Sequence, residues 1–237
     1  MTNAATDNAA QPGPADLAEI FYAPSAVFAR RQAGQFGLPY LTLVGIGVVL
    51  FFATRNLMQP VMDAEISRSM AAATASGRVT ADQAAAGASL GKTMASVGLI
   101  AFWVIAPFII ALLTWIAGKI AGVREIGRVA IMVATFSMFP RLIGAVVGAV
   151  FAAAMPDTSI TSLASVSLSP ARFIDVAAHP GMAALLGRFD LFLLWGVVLI
   201  ALGVQYAAGA TKGKAWATAI GVWVIATLPA IWAALRA

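Results

Sequence analysis

Charged residues in this chain stand mostly at the edges of long apolar runs, and five of those runs approach or exceed the length of a membrane crossing. A helix needs about 20 predominantly apolar residues to traverse a ~30 Å hydrocarbon core. Leu38 to Thr54, within an uncharged stretch from Gln32 to Thr54, is the first such run, and Ala95 to Gly118 is the second. Val129 to Met155, broken only by Arg141, is the third. Leu191 to Ala210, with Gln205 as its only strongly polar member, is the fourth, and Ala215 to Leu235 is the fifth. The pattern predicts helices over about 38–58, 95–118, 129–155, 190–210 and 215–235. The fold class is therefore all-α: a polytopic membrane protein, a bundle of five transmembrane helices with short interfacial helices. An odd number of crossings puts the termini on opposite sides.

The segments between the runs have patterns of their own. Residues 1–16 are small, polar and proline-containing, so the reading is a disordered cytosolic tail ahead of a membrane domain over 17–237. Leu17, Ile20, Phe21, Val27 and Phe28, around a break at Pro24 and ending in Arg30 and Arg31, predict a short interfacial helix with its basic end at lipid headgroups. After the first run, alanines around Ala71 favour helix, Gly77 ends it, and Thr80 with Gln83 has capping-box spacing, so the second membrane helix is expected to begin near Thr80. The connection from Pro156 to Asp190 predicts an irregular segment before Pro170, then a short surface helix.

Composition agrees with lipid as the solvent: of 237 residues, 61% are hydrophobic and only 11% charged. The formal charge of +5 comes from 15 basic residues scattered as flanks, without the aromatic-interleaved patch of a nucleic-acid binder. Without cysteine there is no disulfide framework, thiolate nucleophile or sulfur ligand, and one histidine does not build a zinc site. The first apolar run is too far from the N-terminus for a cleaved signal peptide.

Basic residues dense in short loops are held on the cytoplasmic side. Lys119, Arg124 and Arg128 lie in the second-to-third connection and Lys212 and Lys214 in the fourth-to-fifth, on the same side as Arg30 and Arg31. The seven basic residues assigned to the other side, Arg55, Arg68, Arg78, Lys92, Arg172, Arg188 and Arg236, are spread among acids over long connections. The expected protein is a multi-pass component of the cell membrane with its N-terminus cytoplasmic and its C-terminus outside.

The fourth run carries a recognisable pattern in Asp190, Phe192, Trp195, Leu199 and Gly203, continued past a short basic turn by Lys214 and Ala215. It resembles bacterial membrane proteins with a Yip1 domain, in which an Asp-x-Phe-x-x-Trp entry precedes a Leu- and Gly-containing helix and a Lys-Ala start to the last one. The "FYAPSAVFARR" entry, the Thr-initiated second helix and Pro140 in the third resemble that family too, over roughly residues 17 to 235. The resemblance implies a five-helix integral membrane domain with a cytosolic N-terminus. Eukaryotic relatives act in vesicle transport with small GTPases; their Asp-Leu-Tyr-Gly-Pro signature does not occur here, so no partner-binding residue is carried over.

Two intramembrane polar candidates remain, Arg141 and Asp190. Asp190 suits the first turn of the fourth helix, where free N–H groups favour a carboxylate. Arg141, costing on the order of 2.5–3.5 kcal/mol near a helix centre, needs a partner. That partner is expected to be Asp190, or a carbonyl freed by proline: that of Trp103 below Pro107, or of Phe136 below Pro140. Gly144 and Gly148 form a small-xxx-small face read as internal packing, and His179 as a surface-turn residue. Gly209 and Gly213 lack the spacing of a phosphate loop.

No nucleophile–base constellation is found, and no cofactor is implied. The reading is a non-enzymatic membrane-organising or partner-binding scaffold. Its expected contacts are the bilayer, anionic lipids, and a membrane-protein partner or second copy, through Lys119, Arg124, Arg128, Lys212 and Lys214. The alternative is a small-solute or ion transporter using Arg141 inside the bundle.

Overall fold

A computed structural model describes residues 11–235, and their regular elements are all helical. Most of the predicted tail, residues 1–10, falls outside that range, as does Arg236. The first two helices, α1 (Asp16–Glu19) and α2 (Pro24–Arg30), are short and break at Pro24 as expected. Then come α3 (Gly37–Thr54), α4 (Gln59–Ala75), α5 (Ala81–Ile120), α6 (Ile126–Ser137) and α7 (Phe139–Ala154). The chain ends in α8 (Pro180–Leu186), α9 (Leu191–Ala207) and α10 (Lys212–Ala234). By length and composition four helical spans can cross a membrane, or up to five when the segment Pro180–Phe189 and α9, bent by 49° at Asp190, count as one. The fourth predicted helix is thus shorter than read: α9 alone has 17 residues.

Local chemistry sets the boundaries. The Thr80 hydroxyl accepts from the Gln83 N–H (3.3 Å), and the Gln83 amide oxygen accepts from the Thr80 N–H (2.9 Å), so the capping box opens α5 where the spacing placed it. At ~1.5 Å per residue the 40 residues of α5 reach about 60 Å, twice a bilayer core. Only Leu90–Ile120 qualifies as span, and the first turns are an extension. The third span runs Ile126–Ala154 but is interrupted at Met138, two residues before Pro140, which has no N–H to return to Phe136. It is also the crossing the protein buries: 67% of its most apolar window is covered, against 17% for each of the first two.

The chain forms two compact units. The first comprises Met1–Val44, Ala106–Pro140 and Trp195–Ala226. Its core is α6 with α2 and α9: Phe28 meets Phe136 edge-on with centroids 5.8 Å apart, and Val129, Met132, Val133 and Leu199 are fully buried. On α9 the buried residues Gly196, Leu199, Ile200, Gly203, Val204 and Ala207 recur at helical spacing, one continuous face. Two glycines let that face approach closely. A Cβ on Gly203 would stand 2.7 Å from the Val133 methyls, and one on Gly196 2.7 Å from the Ser137 carbonyl oxygen. Asp16 and Arg31 are both buried here, which corrects the placing of Arg31 at the headgroups and shortens the predicted tail.

The second unit comprises Gly45–Ile105, Arg141–Leu194 and Thr227–Ala237. Three short 3-10 helices, Asp157–Ser159, Leu163–Val166 and Pro170–Phe173, precede α8, so the irregular segment followed by a short helix is present. Val61, Ala152, Ile160 and Val166 form a small core beneath them with Met58, Phe151 and Met155. The Gly144 and Gly148 face packs internally: a Cβ on Gly144 would meet the Phe192 ring at 2.8 Å, and one on Gly148 would touch Val166.

Candidate functional site

The five predicted contact cations all belong to the first unit and all are exposed. Lys119 ends α5, Arg124 and Arg128 flank the start of α6, and Lys212 and Lys214 open α10. Gly122, at φ 71°, turns the chain between α5 and α6 in the left-handed region that glycine enters freely. Its carbonyl accepts a hydrogen bond from Lys214 Nζ at 3.0 Å, across 92 residues of sequence. That bond brings the two basic connections into contact. Glu125 offsets part of the charge and lies 3.7 Å from Arg128. Lys119, Arg124 and Lys212 have no ion pair among the described residues, so their charge faces outward.

A second charged cluster joins α1 to the end of α2. Arg31 Nε donates to Asp16 Oδ2 at 2.7 Å, its Nη1 to the Gln35 carbonyl at 2.8 Å and its Nη2 to the Gly13 carbonyl at 3.2 Å. Its guanidinium also lies 5.4 Å from the centre of the Phe136 ring. Arg30 pairs with Asp16 at 2.5 Å and with Glu19. Burial works to raise the Asp16 pKa, but the hydrogen bonds from Arg30 and Arg31 outweigh it and hold the carboxyl below the usual range. Bonds to Glu19 and then Asp16 hold Arg30 more firmly protonated than usual. The signal that could have found this cluster is an acid pair at 16 and 19 followed, across the Pro24 break, by adjacent arginines.

Asp190 is a helix N-cap. Its Oδ1 accepts from the N–H groups of Phe192 (2.9 Å) and Leu193 (3.3 Å), and its Oδ2 from the N–H of Leu168 (3.1 Å). This bears out the first-turn reading and spends the carboxylate on backbone donors. Arg141 forms no ion pair with it and makes no hydrogen bond to any of the expected acceptors; its guanidinium lies over the Phe102 ring, 5.8 Å from the centre. An aromatic face thus takes the place of the expected acceptor, a placement that tolerates a cation with its stem in apolar surroundings. Arg188 Nε donates to the Thr227 hydroxyl at 3.2 Å. His179 is exposed at the start of α8, and no group of three or more metal-binding side chains occurs among the described residues.

The residues that carried the family resemblance all have structural work. Asp190 caps α9, Phe192 covers Gly144, Trp195 meets Phe21 edge-on at 5.8 Å, and Leu199 is fully buried. Gly203 admits Val133 and Phe28, Lys214 ties two connections, and Ala215 is fully buried. Over 141 residues the chain is 28% identical to a membrane protein of Bacillus subtilis (strain 168), YknW, an alignment covering 58% of this chain and 57% of that one. The chain thus spans little more than half the length of that curated relative. No solved structure matches. The Yip1 domain family matches residues 18–234, nearly the whole chain, and with its apolar helices this makes the protein a multi-pass membrane protein that belongs to the Yip1 domain family.

Proposed function

We propose that this Yip1-domain protein is a non-enzymatic membrane organiser, which gathers anionic lipid and a membrane-protein partner at the basic surface of its first unit. The observation that supports the reading is the Lys214 bond to the Gly122 carbonyl, because it links the two connections that carry the five exposed cations, among which Glu125 pairs with Arg128. Near an anionic leaflet each Lys or Arg contributes about 1 kcal/mol, so the cations together hold a patch of lipid against the protein. That surface faces the cytoplasm, with the N-terminus on the same side and the C-terminus outside.

Extraction in polymer-bounded native membrane discs, with mass spectrometry of the co-purifying proteins and lipids, tests the reading. Replacing Lys119, Arg124, Arg128, Lys212 and Lys214 by Gln is expected to release the partner and the anionic lipid together. Co-purification indifferent to those replacements contradicts it.

A further inference from the structure

The second unit contains an apolar cavity of about 510 Å³, within the size range of small-molecule sites. Trp103 presses onto Gly47 on one of its walls, and Met58, Met62 and Ile66 of the α4 segment, spaced four apart, line another. Apart from the Trp103 indole, its polar side chains are nearly all committed. The Thr54 hydroxyl donates to the Leu50 carbonyl at 2.7 Å, and Glu65 takes a bond from Arg68 and one from the Leu163 N–H at 3.3 Å. Arg55 is the exception: exposed, on the cavity lining, and without an ion pair or hydrogen bond among the described residues.

Position along the first span adds a direction. Gly37–Thr54, 18 residues, spans about 27 Å at the helical rise, so Arg55 emerges at headgroup level. Gly47 lies eight residues before it, about 12 Å deeper. An uncommitted cation at the surface above an apolar cavity is the complement of a lipid with an anionic head and an acyl tail.

We infer that this cavity is a binding site for one anionic phospholipid, its acyl chain along the Gly47, Trp103 and α4 walls and its phosphate on Arg55. The site shares no residue with the five cations of the proposed function and does not depend on that reading. Gly98 offers a way to block it, because it lines the cavity and nothing stands within 4 Å of where its Cβ would be.

The test uses the full chain, delipidated and reconstituted into phosphatidylcholine containing a minor fraction of phosphatidylglycerol, with bound lipid counted by native mass spectrometry. Wild type is expected to retain one phosphatidylglycerol in preference to phosphatidylcholine. Arg55→Gln is expected to lower that preference about tenfold, the scale of one lost charge-assisted hydrogen bond. Arg55→Lys keeps it, and Gly98→Trp loses the bound lipid of either kind with an unchanged melting temperature. Gln at Lys119, Arg124, Arg128, Lys212 and Lys214 leaves it in place. Equal retention of both lipids by wild type overturns the inference, as does retention that ignores Arg55→Gln and Gly98→Trp. Loss only in the five-site variant overturns it too, since the lipid then sits at the basic surface.

Discussion

Arg31 and Asp16, fifteen positions apart, meet at 2.7 Å with each side chain no more than 3% exposed. The contact fastens the start of α1 to the end of α2, a bond from Arg31 to the Gly13 carbonyl adds the turn before α1, and the Arg31 guanidinium rests on Phe136 of the buried third span. Breaking a buried pair on one side strands a charge, at a cost of about 3–5 kcal/mol. Asp16→Asn is therefore expected to lower the melting temperature markedly, and Asp16→Leu combined with Arg31→Met to recover most of the loss. Thermal unfolding in detergent checks both.

The same carboxyl gives a pH dependence. Its folded pKa is depressed below the ordinary value of 3.8, so its stabilising contribution is fully present above that value and is lost as pH falls through the lower folded pKa. Melting temperatures of wild type and Asp16→Asn should converge as the solution is acidified into that range. A gap between them that stays constant there contradicts the assignment.

Asp190→Ala removes the acceptor of three backbone N–H groups and is expected to cost about 1 kcal/mol, while Asp190→Asn keeps most of the cap. Hydrogen exchange localises the effect: the amides of Phe192, Leu193 and Leu168 should exchange faster in the Ala variant, with α6 unaffected.

The α9 glycines are not equivalent to those on open faces. At Gly196 an added methyl meets a backbone carbonyl oxygen at 2.7 Å, so Gly196→Ala is expected to destabilise by about 1–3 kcal/mol. Gly98→Ala meets nothing within 4 Å in a helix and is expected to hold or raise the melting temperature. Equal melting temperatures for the two would remove the close approach of α9 from the account.

Since the chain has no cysteine, single substitutions report sidedness cleanly. Gly213→Cys, beside Lys212 and Lys214, should react with a membrane-impermeant maleimide only after the cytoplasmic face is opened; Thr158→Cys should react in intact cells. The reverse pattern inverts the proposed orientation.

Four of the five predicted spans were legible because insertion depends on apolar length, which can be read along the chain without knowing any neighbour; the fourth is too short as α9 alone and reaches crossing length only with the bent segment before Asp190. Capping was legible for the same reason: Thr80 with Gln83, and Asp190 at the start of the fourth run, act over two or three residues. Partners distant in sequence were not. Arg31 before an apolar run reads as a headgroup anchor, and only the fold back at Pro24 turns it toward Asp16. Arg141 has one acid at a plausible depth, but three nearby N–H groups occupy Asp190, leaving the Phe102 ring. The bond from Lys214 to Gly122 crosses 92 residues, so the local charge count assigned both loops a side but not their junction.

The most direct measurement of the central claim is the phosphatidylglycerol enrichment of native membrane discs around wild type and around the variant with Gln at Lys119, Arg124, Arg128, Lys212 and Lys214. The account predicts enrichment over bulk membrane for wild type, falling as salt screens the surface, and bulk composition apart from the lipid held at Arg55 for the variant. Equal enrichment in the two would contradict a function exercised through that basic surface.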